Sequence, residues 1–189
     1  MKLYVGFVIA PRDSGPIGWK VISFFTGSPV VHTFITDLET VWETSETLFE
    51  KRPYALRTAG TPVEVFEVIG VDGRPAFTHV ESLIGTAYDY PGIIGLGLLS
   101  GCERLMNLIA WPIRKLHSLM NKTPMDTIRL AFLNNPYARN KLYFCTETVY
   151  HALKKTDAVI PDWWYGENLF AHQMHRYFLD NPDLYKKIG

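Results

Sequence analysis

Cysteine is scarce in this chain, with Cys102 and Cys145 the only two among 189 residues. Two thiols cannot build the bridged framework of a small secreted domain, so the fold must rest on a hydrophobic core. Their usage suits a reducing interior, with a single buried bridge left open. An excess of either charge is also missing, because 19 lysines and arginines balance 19 aspartates and glutamates. Without a net positive field there is no electrostatic footprint for general nucleic-acid binding, and that class is set aside. No uncharged apolar run is long enough to cross a bilayer. The nearest, Pro91 to Ile113, is interrupted by Glu103 and Arg104. It reads as a buried or half-buried helix, with a helix lying at a membrane surface as the alternative. The opening "MKLYVGFVIAPRDSG" lacks a small-residue cleavage pattern and fits a first strand better than a signal peptide. The expectation is a cytoplasmic protein. Repeats and low-complexity tracts are absent as well.

What is present is the composition of a folded protein: 47% hydrophobic and 20% charged residues, in a length that suits one domain spanning 1–189. Ile17 to Thr26 reads as a helix with Ile17, Val21, Phe24 and Phe25 on its apolar face, broken by Gly27-Ser28-Pro29. Val30 to Asp37 and Thr40 to Glu46 read as strands joined by a short turn, hence an antiparallel hairpin. Pro62 to Val71 predicts a third strand and Ala76 to Ile84 a small helix, followed by the loop "GTAYDYPG". Glu103 to Asn140 reads as a mainly helical insertion, broken at Pro112, Pro124 and Pro136. A helix then runs through "LYFCTETVYHAL", and a last one is expected near Phe170 to Leu179. Strands early and helices late make the class α+β.

Cys145 stands where that helix begins, on a stripe with Val149 and Ala152, while Glu147, His151 and Lys154 point elsewhere. A thiol in the first turn lies beside unpaired backbone N–H groups and the positive end of the helix dipole. Both favour thiolate, the reactive form. A lone buried cysteine is equally a small hydrophobe, so a nucleophile requires a base and a group to orient it. Of six histidines, His151 is on the wrong face. His172 and His175 have metal-compatible spacing without further ligands and fit an exposed helix; His79 and His117 lack partners. His32 interrupts the apolar strand "VVHTF" and is either a satisfied core residue or a positioned base. Glu43, on the neighbouring strand, can reach it across the hairpin. Glu46, at that strand's end, is the poorer alternative, and Asp37 and Glu39 belong to the turn.

The order of these segments resembles the circularly permuted branch of the NlpC/P60 papain-like superfamily: "VVHTFI", "VWETS", "GTAYDYPG", then "FCTETVYHAL". Its relatives include the YiiX-like bacterial proteins and, more distantly, the lecithin–retinol acyltransferase group. The resemblance implies an antiparallel sheet packed on a central cysteine-bearing helix. It also implies a thiol hydrolase with Cys145 as nucleophile, His32 as base, Glu43 as the third polar position and Tyr88 bordering the oxyanion site. No metal or organic cofactor is called for. The implied substrate is a peptide, isopeptide, peptidoglycan fragment or lipid-like acyl group. A lipid substrate would face a wall of Ile93 to Leu99, Trp163, Trp164 and Tyr165, with peripheral membrane contact. A non-catalytic binding module on the same fold is the remaining reading. Departures are the long insertion, Thr146 where many relatives carry serine, and Val31 where relatives often place serine before the histidine.

Overall fold

The computed structural model describes residues 1–10, 17–45, 47–87, 108–112, 115, 144–164 and 169–189. Its frame is an antiparallel sheet of six strands: β1 Tyr4–Ile9, β2 Val30–Thr36, β3 Thr40–Thr44, β4 Phe49–Pro53, β5 Val63–Val68 and β6 Tyr185–Lys187. In space they run β4-β3-β2-β1-β5-β6. Among the described residues, the helices that accompany the sheet include α1 Ile17–Thr26, α2 Tyr54–Thr58, α3 Arg74–Ser82, α4 Cys145–Leu153 and α5 Ala171–Asp180.

The central strands are apolar on both sides because both faces of the sheet are covered. On one face Val5, Phe7, Ile35, Trp42, Phe66 and Val68 form the main core. Phe77 and Val80 of α3, Val149 and Leu153 of α4, and Met174 and Phe178 of α5 complete it. On the other, Val8, Val31, Phe34 and Val41 meet Trp19 and Ile22 of α1 and Tyr54 of α2. Gly6 is required at its place on β1, because a Cβ there would overlap the Phe34 ring that crosses it from β2. The β2–β3 turn passes through Leu38 in the left-handed region at φ 75°. Asp37 Oδ1 secures that turn by accepting from the Glu39 and Thr40 N–H groups at 3.0 and 2.6 Å.

Two irregularities of β2 position the site. Val8 pairs with His32 but Ile9 pairs with Val30, so Val31 is an extra residue immediately before the histidine. Such a bulge bends the strand and re-aims the side chain that follows. The ladder to β3 is also short, with Ile35↔Trp42 and Thr36↔Val41 its registered pairs. Helix α4 packs on both strands.

Several expectations are corrected. The helix at 17–26 seats Trp19 and Ile22 on the sheet, whereas Phe24, assigned to the apolar face, is solvent-exposed. The third expected strand stops at Val68 rather than Val71, and the second at Thr44. Strands β4 and β6 and the short α2 have no counterpart among the elements expected from the sequence. Trp164, expected on a lipid-facing wall, is 1% exposed and stacked on Phe178 in the main core, while Trp163 is exposed. Residues 108–112 and Lys115 are helical; the other residues of the insertion, Ile93 to Leu99 and Tyr165 lie outside the described residues. No helix among the described residues is long and apolar enough to cross a membrane.

Candidate active site

Phe144 is extended, at φ −105° and ψ 170°, and Cys145 is the first helical residue of α4. The Thr148 N–H donates to the Phe144 carbonyl at 3.0 Å, opening the helical ladder. The N–H groups of Cys145, Thr146 and Glu147 precede that first bond, as at any helix start. Backbone N–H groups of Thr33 on β2 and of Thr146 hydrogen-bond the Cys145 side chain and favour its thiolate. The Thr146 hydroxyl ties this turn to the segment before α5 by donating to the Leu169 carbonyl at 2.5 Å. The expected stripe of Cys145, Val149 and Ala152 is buried. Glu147 is buried with it, against the expectation that it points away, because the whole first turn of α4 is enclosed.

His32 and Glu43 sit diagonally across the β2–β3 hairpin on the same side of the sheet. His32 Nε2 lies 2.8 Å from Glu43 Oε2. With Nε2 committed to the carboxylate, Nδ1 is left for the sulfur, and the ring is hydrogen-bonded to Cys145. Cys145, His32 and Glu43 are 5, 8 and 4% exposed. The three side chains therefore converge although helix and hairpin are far apart in the chain. Glu46 and Tyr88 lie outside the described residues.

Burial by itself pushes His32 towards neutrality. The charge and hydrogen bond of Cys145, joined by those of Glu43, outweigh it and raise the imidazole from 6.5 to about 9. Burial also works against a Cys145 thiolate. The His32 charge and hydrogen bond, with the Thr33 and Thr146 N–H groups, prevail and hold the thiol below its ordinary value. Glu43 likewise stays below the usual carboxylate range despite desolvation, through His32, Arg57 and Arg52. All three shifts favour one state: thiolate, imidazolium and carboxylate in a row.

Two further residues of this network carry no sequence signal of their own. Arg57 of α2 donates from Nε to Glu43 Oε2 at 2.8 Å, and Arg52 of β4 brings its Nε to 3.0 Å from Oε1. Asking what neutralises a glutamate in a buried hairpin would have pointed to these nearby cations.

Three other histidines, His79, His151 and His175, have partners outside the Cys145–His32–Glu43 row. His175 pairs with Glu64 at 2.8 Å, and Lys187 takes the other Glu64 oxygen at 3.0 Å. Its ring packs on Phe7 and Phe66, so α5 is not the exposed helix expected there. His79 and His151 rings are 6.4 Å apart, and His151 Nε2 is 3.8 Å from Glu147. His117 is outside the described residues. Among those described, no three histidine, cysteine or acidic side chains form a metal-holding group.

Compared with known protein families and with curated proteins, the chain matches no family model and no individual protein. What the site can do is therefore read from its geometry.

Proposed function

We propose that this chain is a thiol-dependent hydrolase that cleaves an amide bond, peptide or isopeptide, through an acyl-enzyme. In this reading the sheet and α4 are a permuted NlpC/P60 papain-like frame. The observation that carries it is the continuous contact from the Cys145 sulfur through the His32 ring to the Glu43 carboxylate, at the start of a helix.

The chemistry follows from the groups in place. Imidazolium beside sulfur keeps Cys145 ionised, so attack on the carbonyl carbon needs no prior proton transfer. The developing oxyanion meets the Cys145 N–H at the helix terminus, and the resemblance adds Tyr88. As the C–N bond breaks, His32 gives its proton to the leaving amine. His32, now neutral, takes a proton from water, whose oxygen attacks the thioester and releases the acid. Glu43 stabilises the imidazolium and fixes which nitrogen faces the sulfur.

The test uses a reaction independent of the natural substrate. The protein is mixed with p-nitrophenyl acetate, quenched in acid and analysed by peptide mass spectrometry. The expected result is a burst of nitrophenol and an acetyl group on the Cys145 peptide, with acylation lowered roughly 10–10²-fold at neutral pH in His32→Ala, because an ordinary thiol is only slightly ionised there. Acylation that persists unchanged in Cys145→Ser overturns the reading.

A further inference from the structure

One buried charge has no part in those steps. Arg57 is 7% exposed and comes from a helix of only five residues. Burying a guanidinium is costly unless it is well paired, so its partners are informative. Its Nε donates to the same Glu43 oxygen that His32 Nε2 meets, each at 2.8 Å. Its guanidinium lies over the rings of Trp19 and Phe34, 5.8 and 5.5 Å from their centroids. Phe34 in turn lies across Gly6. The guanidinium is thus held by α1 and β2 while it bonds β3. Arg52 meets the opposite oxygen, is more exposed and is also paired with Glu50.

We propose that Arg57 is a positioning residue of the hydrolytic site: its Nε–H fixes the Glu43 carboxylate plane at the angle that keeps His32 directed at the sulfur. This rests on the hydrolase reading above. A glutamate carboxylate rotates freely about its last bond, and one bond to imidazole does not define its plane. Two donors on one oxygen and a third on the other do. The planar fork of arginine suits this better than the single point of a lysine ammonium.

Positioning and simple charge compensation predict opposite results. If Arg57 only neutralised Glu43, its removal would leave a more anionic partner, strengthen the imidazolium and stabilise the thiolate. If Arg57 positions, its removal lets the carboxylate turn away and the ion pair weakens. Among the described residues, the charged groups facing Glu43 and the pair are His32 from β2, Arg52 from β4, Arg57 from α2 and Cys145 from α4.

The experiment follows the rate of iodoacetamide labelling against pH in the full chain, with the Cys145 peptide read apart from that of Cys102. Arg57→Met keeps an unbranched stem against Trp19 and Phe34 but has no donor. Its acid limb is expected to move up by about one pH unit, a tenfold fall in rate at a fixed pH on that limb. Arg57→Lys, which restores a donor, should recover part of the loss. A folded Arg57→Met protein with the wild-type profile, or with faster labelling on that limb, overturns the proposal. If Arg57→Met fails to fold because Glu43 is stranded, the double variant with Glu43→Met leaves neither of the two charges without the other. It should label like Glu43→Met alone, which has no oxygen for Arg57 to hold, and a further loss in the double variant overturns the proposal. A wild-type Cys145 that labels no faster than an ordinary thiol overturns the hydrolase reading and this inference together. An unaltered Arg57→Met profile on a reactive wild type removes the inference alone.

Discussion

The proton shared by Cys145 and His32 has two possible owners, and the surroundings of each group decide between them. Thr33 and Thr146 offer N–H groups to the sulfur, and Glu43 offers a carboxylate to the ring. Each stabilises the charged form of the group it touches. The two sites titrate as a unit, with an acid limb where the thiolate regains its proton and an alkaline limb where the imidazolium loses its own. Because the His32 value is raised, to about 9, the imidazolium survives through neutral pH and disappears as pH rises through that value. The lowered Cys145 value places thiolate formation below the ordinary range. Amide cleavage, which needs the imidazolium proton for its leaving group, should give a bell-shaped kcat/KM with its alkaline limb at about 9. A nitrophenyl ester, whose leaving group needs no proton, should show only the acid limb. Parallel profiles for the two substrates would contradict this assignment of the proton.

Elements reach the site through packing that begins with the smallest residue. Gly6 lets the Phe34 ring cross β1, and Phe34 with Trp19 forms the bed on which Arg57 lies beside Glu43. Gly6→Ala would force that ring aside and should destabilise the fold by about 1–3 kcal/mol, as overpacking does. Urea denaturation measures this, and unchanged stability would show that the ring moves without cost. The elements legible in sequence were those with strong local patterning. The β-branched run of β2, the hairpin to β3 and the apolar stripe of α4 all stand close to where the pattern placed them. Strand β4, "FEKRP", was not legible. Three of its five residues are charged, and it is a strand because it pairs along β3, at the sheet edge where charge is tolerated. Helix α2 is too short to show a period. The Val31 bulge is equally silent, since it is defined by the register of another strand.

At the scale of the molecule, the site exists because a hairpin near the start and a helix near the end share one sheet. The sequence nominates Cys145, His32 and Glu43 as a set, and the fold brings His32 and Glu43 within 2.8 Å beside the cysteine. The same long-range packing explains what local reading missed. His175 turns inward because Glu64 on β5 and Lys187 on β6 meet it there. Trp164 fills the core because α5 and β6 present Phe178, Tyr177 and Tyr185 around it. The claim on which the account turns is that Cys145 rests as a thiolate made by His32. Its most direct test is a pH titration of the thiolate ultraviolet absorbance in wild type, with Cys145→Ser subtracted, beside the same titration in His32→Ala. The account predicts that the wild-type thiolate persists well below the ordinary cysteine range and that His32→Ala returns it to or above that range. Superimposable curves at the value of a free cysteine would contradict it.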